Sequence, residues 1–272
     1  MPAEPYSALA AGYDFVMEHV DYDAWAAYLY TLLRQHGVEV DTVVELGGGT
    51  GSLARRLQPL GEYRYVLTDG SEAMLAQAQE KLSDDDSPVC CVQADFTTVT
   101  KDELGLKEPV DAVILVYDGL NYLLDASDVR GLFEQVHRLL RPGGIAIIDQ
   151  STPANSETNH DRFVDEGATD DFSFVRENRY DPETRRHETI FTLTVDGEHR
   201  QERHVQRAYS RHEVRDLLEE SALSIEASYD AFTREPAHDE SYRVHWVLCR
   251  SASEPVSKGG AGEVAGSHSS GA

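Results

Sequence analysis

The chain has 272 residues, of which 40% are hydrophobic, and this is enough to bury the core of one α/β domain with an added subdomain. Its formal net charge of −25 would repel nucleic acid and anionic membranes, so we expect neither as a partner. No apolar run approaches the roughly 20 residues of a membrane span, and the N-terminus lacks a signal-peptide pattern. We therefore expect a cytoplasmic protein, with the acidic surface that is typical of halophiles.

The first 36 residues are predicted to be helical. Apolar residues between Tyr22 and Leu33 recur at helical spacing, and this pattern stops at Gly37. We expect residues 1–36 to form a helical cover that precedes the main domain, residues 37–250.

Strands and helices then alternate along the chain. The five predicted strands are Asp41–Leu46, Tyr63–Thr68, Val89–Val92, Val110–Tyr117 and Ile145–Asp149. The alternation predicts a Rossmann-like, doubly wound and mostly parallel sheet. Cys90 and Cys91 lie in the apolar third strand, so we expect both to be buried. The cysteines have no CxxC spacing, and no metal site is predicted.

The pattern changes between residues 151 and 208, where short β segments are separated by turns at Asp181-Pro182 and Asp196-Gly197. This predicts an inserted antiparallel β meander, which we expect to form part of an acceptor pocket or a dimer contact.

The α/β pattern returns after the insertion. Ser210 and Glu213 form a capping box that predicts the start of a helix. Two further strands, Ser224–Phe232 and Tyr242–Cys249, are expected to give the sheet an antiparallel edge. Residues 251–272 are small and polar and are predicted to be a disordered tail.

A glycine-rich segment, Val43–Gly51, runs from the first predicted strand through a loop, Gly47–Gly51, that precedes a helix. Glycines allow a ligand to approach the backbone closely, and a helix N-terminus offers free N–H groups, so this segment favours a nucleotide-like ligand. Its pattern, acidic-x-G-x-G-x-G from Glu45, departs from the G-x-G-x-x-G that accommodates a pyrophosphate. An NAD-dependent oxidoreductase is therefore a less favoured alternative. Asp69, at the end of the second strand, suits a ribose in either class of protein.

These segments resemble class I S-adenosylmethionine-dependent methyltransferases over about Ser7–Asp149. The resemblance is closest to small bacterial members with a Tyr-Asp pair in the opening helix, matched here by Tyr13-Asp14. Those members also carry a D-x-x-N-Y-L segment after the fourth strand, matched here by Asp118–Leu123. The resemblance implies S-adenosylmethionine as the cofactor.

The resemblance also implies which residues contact that cofactor. Glu45 would hold the amino group, Asp69 the ribose hydroxyls and Asp95 the exocyclic amine of adenine, with Met74 packed on the adenine ring. The full set of implied cofactor residues is Tyr13, Glu45, Gly47, Gly48, Gly49, Asp69, Gly70, Met74, Asp95, Phe96 and Tyr117.

Methyl transfer from a sulfonium mainly requires that the nucleophile be aligned with the methyl group. A general base is needed only for a hydroxyl or a protonated amine, and the sequence identifies no such base. The acceptor-side candidates are Asp118, Asn121, Tyr122 and His204. No proline-rich segment of the kind used on nucleic-acid bases follows the fourth strand.

We therefore predict a methyltransferase that acts on a nitrogen or oxygen nucleophile of a small molecule. A non-catalytic S-adenosylmethionine-binding module is the alternative, and homodimer formation is left open. Ile147–Gln150 and the acidic composition resemble glycine and sarcosine N-methyltransferases of salt-adapted organisms, although Asp118–Leu123 departs from that family.

Overall fold

Two β-sheets organise the computed structural model, which describes residues 3–83, 89–159 and 164–252. The central sheet contains β1 (Thr42–Glu45), β2 (Arg64–Asp69), β3 (Val89–Gln93), β4 (Val110–Leu115), β5 (Leu140–Ser151), β10 (Leu223–Asp230) and β11 (Arg243–Arg250). The smaller sheet contains β6 (Val164–Ala168), β7 (Phe172–Asp181), β8 (Arg186–Val195) and β9 (Glu198–Arg207). The predicted disordered tail lies, from residue 253 onward, outside the described residues.

Seven α-helices accompany these strands in the described part of the chain: α1 (Tyr13–Val16), α2 (Tyr22–His36), α3 (Ala54–Gly61), α4 (Glu72–Ser83), α5 (Ala126–Leu139), α6 (Pro153–Asn159) and α7 (Arg211–Glu219). The predicted capping box at the start of α7 is confirmed, since Ser210 and Glu213 cap each other's backbone N–H groups. None of the described helices is both long enough and apolar enough to span a bilayer.

The central sheet has the strand order β10-β11-β5-β4-β1-β2-β3. Strands β1 to β5 pair in parallel, whereas β11 runs antiparallel to both of its neighbours. The predicted Rossmann-like sheet with an antiparallel edge is therefore confirmed. The strand order reverses beside β1, which has β2 on one side and β4 on the other. In sheets of this kind, ligands bind at the carboxyl ends of the strands where the order reverses.

Helices cover both faces of the central sheet. Leu29 of α2, Leu57 of α3 and Leu75 of α4 belong to one apolar layer, and Phe133 of α5 and Leu218 of α7 belong to the other. Strand β4 runs between the two layers and is almost completely buried, which explains its nearly continuous apolar sequence.

The N-terminal segment differs from the helical cover that we predicted. Residues 3–8 form no helix, and a 3₁₀ helix spans Leu9–Gly12 before α1. We refer to residues 3–9 as the strap. Residues 3–8 are not helical because the backbone of the strap is held by the smaller sheet, where Ala3 forms a parallel bridge with Glu202. Helix α2 alone carries the helical spacing that was recognised in the sequence.

The predicted meander is present, with one strand more than the sequence indicated. Strand β6 has little β-forming character, but it pairs with β7 and places Gly167 opposite Phe174. A Cβ atom at Gly167 would lie 2.8 Å from the Phe174 ring, so a glycine is required there. The prediction that Cys90 and Cys91 are buried was wrong: Cys90 is exposed and Cys91 is half-buried, because β3 is the edge strand.

Candidate active site

A cavity of about 950 Å³, the main cavity, opens at the carboxyl ends of β1, β2 and β4. The strap and α1 cover it, and Tyr6 is one of its wall residues. Most of the implied cofactor residues line this cavity, namely Tyr13, Gly47, Gly49, Asp69, Gly70, Met74, Phe96 and Tyr117. Glu45 and Gly48 line a smaller adjoining recess, the inner recess, together with Tyr13 and Tyr117.

The glycine-rich turn adopts a backbone that favours glycine. Gly47, Gly49 and Gly51 have φ angles of +62°, +57° and +76°. A Cβ atom built on Gly49 meets no heavy atom within 4 Å, and Gly49 lines the main cavity. The bare backbone of the turn therefore forms one side of the cavity.

Asp69 connects this turn to the end of β2. Its Oδ2 accepts a hydrogen bond of 2.9 Å from the Gly49 N–H, and its Oδ1 accepts one of 2.8 Å from the Ser71 N–H. Burial raises the pKa of Asp69 above its usual value, although these bonds oppose the rise. The carboxylate thus shapes the turn and also borders the main cavity.

Glu45 is a buried carboxylate in the wall of the inner recess, and only 2% of it is exposed. It accepts a hydrogen bond of 2.9 Å from the Tyr65 hydroxyl, while burial raises its pKa to about 8. The aromatic side chains of Tyr13, Tyr22 and Tyr117 line the same recess. A carboxylate surrounded by aromatic rings suits a positively charged ligand group.

The turn after β4 is strained, because Tyr117 and Asp118 have φ angles of +68° and +66°. Both backbone N–H groups donate to Asp149, at 2.8 Å and 2.9 Å. Asp149 is completely buried, and Arg243 pairs with it and, at 2.7 Å, with Asp118. Burial raises the pKa of Asp149 to about 6, although Arg243 opposes the rise. Asp149 and Arg243 together hold the turn in its strained conformation.

A second cavity of about 270 Å³, the polar pocket, lies between the turn after β4 and the smaller sheet. Tyr117 lines both this pocket and the main cavity. The other residues around the pocket are all polar or charged: His19, Asp118, Asn121, Ser151, Asn155, Ser156, Arg176, Asn178, His187, Thr189 and Gln206. Strands β7, β8 and β9 supply five of them, so the insertion forms much of this pocket.

Asn121 lines the polar pocket, but its amide is used in the fold. Its Nδ2 donates hydrogen bonds of 2.8 Å to the carbonyl groups of Ser151 and Arg207, and its Oδ1 accepts one of 2.9 Å from the Ser151 N–H. The side chain therefore ties the turn after β4 to β5 and β9.

Tyr122 and His204, two of the acceptor-side candidates, are in contact with each other but do not line the polar pocket. The Tyr122 hydroxyl lies 3.0 Å from His204 Nδ1 and 2.5 Å from the Tyr6 hydroxyl. His204 is buried on β9, and its Nε2 lies 3.2 Å from Glu202 Oε2. Tyr6 and Tyr122 line the main cavity, so this group of side chains reaches its wall.

Glu202 holds the strap over the main cavity. This fully buried carboxylate accepts hydrogen bonds from the backbone N–H groups of Tyr6, Ala8 and Leu9, at 2.8 Å, 2.5 Å and 3.0 Å. Burial would raise the pKa of Glu202, but hydrogen bonds from His204 and from these N–H groups lower it below its usual value. Sequence analysis missed this residue, because a glutamate within a polar β segment carries no distinguishing signal.

Helix α1 is fixed to the glycine-rich turn by a half-buried ion pair. Lys81 Nζ lies 2.6 Å from Asp14 Oδ2 and also donates to the hydroxyl groups of Thr50 and Ser52. Asp14 Oδ1 in turn accepts a hydrogen bond of 2.6 Å from Thr50. The two residues of the Tyr-Asp pair therefore have different roles: Tyr13 borders the main cavity, and Asp14 anchors α1.

Asp95 is not brought into the main cavity. It is exposed, and its Oδ1 accepts hydrogen bonds from the backbone and side chain of Thr97. Its neighbours Gln93 and Phe96 line the cavity instead. Within the described ranges, no three His, Cys, Asp or Glu side chains are grouped so that they could hold a metal ion.

Known proteins resemble this chain in sequence. Residues 43–144 match a family model described as a methyltransferase domain. A protein of Geobacillus sp. (strain WCH70) that is named as a methyltransferase is 29% identical over 249 residues, which are 89% of this chain and 98% of that protein.

Two solved structures share the fold. An S-adenosylmethionine-dependent methyltransferase from Clostridium acetobutylicum ATCC 824 has a TM-score of 0.75 at 19% identity, over 89% of this chain and 96% of that one. A sugar N-methyltransferase from Streptoalloteichus sp ATCC 53650 has a TM-score of 0.67 at 20% identity, over 88% of this chain and 92% of that one. With its glycine-rich turn at the reversal point of the sheet, this chain shares the fold of these methyltransferases, and its residues 43–144 resemble a methyltransferase domain.

Proposed function

We propose that this protein transfers a methyl group from S-adenosylmethionine to a nitrogen or oxygen nucleophile of a small polar molecule. The observation that carries this proposal is the position of Tyr117, which borders both the main cavity and the polar pocket. A donor in one cavity and an acceptor in the other would meet at this residue.

The residues around the main cavity fit the donor. The carboxylate of Glu45 suits the amino group, and the aromatic rings around the inner recess suit the positive charge of a sulfonium. Asp69 suits the ribose hydroxyls, and the apolar side chains of Met74 and Phe96 suit the adenine ring. Bound S-adenosylmethionine would supply an activated methyl group, and the protein would mainly align the acceptor with it and exclude water.

The cofactor role of Asp95 remains a prediction. Its Oδ1 is engaged by Thr97, so a contact with adenine would have to use Oδ2. The neighbouring Phe96, which lines the main cavity, supports an adenine subsite in this part of the cavity.

The polar pocket suits an acceptor with several hydrogen-bonding groups. Amide, hydroxyl and imidazole side chains surround it, and the carboxylate of Asp118 lies beside Tyr117, where it could orient an amine. The Streptoalloteichus protein with this fold acts on a sugar nitrogen according to its description, which is consistent with such an acceptor. We assign the insertion to the acceptor side, and a dimer contact is the alternative role.

A metabolite panel tests the proposed function. The protein is incubated with methyl-labelled S-adenosylmethionine and a set of amino sugars, amino acids, aliphatic amines and alcohols, and the products are read by mass spectrometry. We expect label in at least one polar amine or alcohol. Tight cofactor binding without any labelled product would favour the non-catalytic module, and binding of NADH in its place would favour an oxidoreductase.

Cofactor binding should release a proton from Glu45. Its pKa is raised to about 8 by burial, so the carboxyl group is mostly protonated at pH 7, whereas a bound ammonium group favours the ionised form. We expect a release of about one proton at pH 7, which disappears above pH 9, and an affinity that rises with pH up to about 8. Calorimetry in buffers with different ionisation enthalpies measures this release.

The control for this measurement is Glu45→Gln, which binds the same ligand without the titrating group. Subtraction of its proton release removes the contribution of the ligand's own ionisation. Equal proton release by the variant and the wild type would contradict the assignment of Glu45 to the amino group.

Changes in the polar pocket should affect the acceptor alone. Asn178 accepts a hydrogen bond of 2.7 Å from Thr189, and both residues line the pocket. We expect Asn178→Leu to raise the KM of the acceptor by about tenfold, or about 1.4 kcal/mol, and to leave the Kd of S-adenosylmethionine unchanged. Steady-state kinetics and calorimetry measure the two values. Weaker binding of S-adenosylmethionine with an unchanged KM for the acceptor would reverse the assignment of the two cavities.

A further inference from the structure

Four side chains form a hydrogen-bonded chain from the wall of the main cavity to a buried carboxylate. The hydroxyl groups of Tyr6 and Tyr122 are 2.5 Å apart, Tyr122 lies 3.0 Å from His204 Nδ1, and His204 Nε2 lies 3.2 Å from Glu202 Oε2. His204 and Glu202, the inner pair of this chain, are shielded from solvent, since His204 is 3% exposed and Glu202 is fully buried. The four residues come from the strap, the turn after β4 and strand β9.

The chemistry of the groups gives the chain a direction. An ionised carboxylate only accepts hydrogen bonds, and Glu202 is held ionised by three backbone N–H donors. His204 must therefore carry its proton on Nε2, which leaves Nδ1 as an acceptor for the Tyr122 hydroxyl. The Tyr122 oxygen then accepts from Tyr6, and the Tyr6 oxygen keeps a lone pair for a ligand in the cavity.

From this geometry we infer that Tyr6, Tyr122, His204 and Glu202 form a proton relay that takes a proton from the acceptor's nucleophilic atom. That atom would extend from the polar pocket past Tyr117 into the main cavity, where Tyr6 and Tyr122 form part of the wall. The inference deepens the proposed function, on which it rests, by requiring an acceptor whose nucleophile carries a proton at neutral pH. Such nucleophiles are aliphatic ammonium groups and hydroxyl groups, whereas a carboxylate needs no relay.

The proton of the acceptor moves to the Tyr6 oxygen as the proton of Tyr6 moves to Tyr122 and that of Tyr122 moves to His204 Nδ1. The lone pair that remains on the acceptor atom forms the bond to the methyl carbon, and the electron pair of the broken S–C bond stays on sulfur. The imidazolium of His204 is stabilised by Glu202, as a carboxylate stabilises the histidine of a hydrolase triad. After product release it returns its proton along the same chain to water that enters the main cavity.

The surroundings of His204 suit this role. The groups that face it are Glu202 on its own strand, Tyr122, Tyr6, and the apolar ring of Phe191 on β8, whose centroid lies 5.3 Å away. Burial and neighbouring groups raise the pKa of both tyrosines, so their hydroxyl groups pass protons on rather than remaining ionised. The imidazole, whose Nδ1 accepts the hydrogen bond from Tyr122, is the member of the chain that takes up the proton.

The backbone of Tyr6 is also consistent with a functional position. Its φ angle of +64° is unfavourable for a residue with a side chain. Glu202 fixes its N–H group, and the Ser71 hydroxyl donates a hydrogen bond of 3.0 Å to its carbonyl group. These contacts hold the ring at the cavity wall against the strain.

A pH profile separates the relay from a structural role. The substrate is the amine or alcohol that the wild type methylates fastest in the panel described above. We expect wild-type kcat to rise with pH through one ionisation to a plateau. In His204→Gln, kcat should fall by about 100-fold or more, and it should rise with pH without reaching that plateau. The Kd of S-adenosylmethionine should stay within about threefold of the wild-type value, a difference below about 0.7 kcal/mol.

The matched control is His199→Gln, on the same strand but exposed, which should keep the wild-type profile.

A second measurement needs no acceptor. In the nitrogen-15 NMR spectrum of histidine-labelled protein, neutral His204 should be protonated on Nε2, and Tyr122→Phe should shift the Nδ1 signal of His204. An Nδ1-protonated ring, or an active His204→Gln variant with the wild-type profile, would overturn the relay. A wild type that binds the cofactor but methylates nothing would instead contradict the proposed function, whatever the tautomer.

Discussion

Replacement of Gly49 by valine is expected to weaken S-adenosylmethionine binding by at least 100-fold, or about 2.7 kcal/mol. Gly49 has a φ angle of +57°, which disfavours a β-branched residue, and its Cβ position lies in open space at a residue that lines both the main cavity and the inner recess. The valine side chain would therefore occupy ligand space. It would also disturb the hydrogen bond that the N–H group of residue 49 donates to Asp69. Isothermal calorimetry with S-adenosylmethionine measures the loss.

The chain offers a matched control at Gly105. This residue has a φ angle of +64° and no heavy atom within 4 Å of its Cβ position, but it lies in an exposed loop away from the cavity. Gly105→Val should carry a similar backbone strain and leave the Kd unchanged. Equal weakening by the two substitutions would show that strain, rather than occupied ligand space, is responsible.

Replacement of Arg243 by methionine is expected to cost about 3 to 5 kcal/mol of unfolding free energy. The variant would leave the buried carboxylate of Asp149 and that of Asp118 without their shared cation. Because Asp149 holds the strained backbone of Tyr117 and Asp118, we also expect the methyl-transfer rate to fall more than the cofactor affinity. Urea unfolding and initial-rate kinetics measure the two effects.

Arg130→Met is the control for this change. Arg130 pairs with Glu220 at 2.8 Å on the surface, where about half of each side chain is exposed. Such pairs contribute less than about 1 kcal/mol, so the control should unfold almost as the wild type does. An equally small effect of Arg243→Met would show that the turn after β4 does not depend on the buried ion pair.

Features encoded in contiguous segments were accessible from the sequence. The glycine-rich turn requires particular residues within a few positions, and so does the capping box of Ser210 and Glu213. The alternation of apolar strands and helices predicted the order of the elements and thereby the sheet. Most of the cofactor candidates lie at the ends of those strands, so that they come together once the sheet is formed.

Features that depend on distant partners were not accessible. Asp149 and Arg243 are 94 positions apart, and Glu202 and Ala8 are 194 positions apart. Nothing near these residues in the sequence indicates their pairing, because it arises from the antiparallel placement of β11 and from the contact of the strap with β9. For the same reason, the exposure of Cys90 follows from the edge position of β3 and not from its apolar neighbours.

The double use of Glu202 links the closure of the strap to proton transfer through His204. The carboxylate that binds the backbone of the strap is also the one that orients His204, and Tyr6, the outer member of the relay, belongs to the strap itself. A displaced strap would remove the proton acceptor at the same moment as it admits water. The proposed enzyme would thus become reactive only after it has enclosed its donor, and an open state could not consume S-adenosylmethionine without an acceptor.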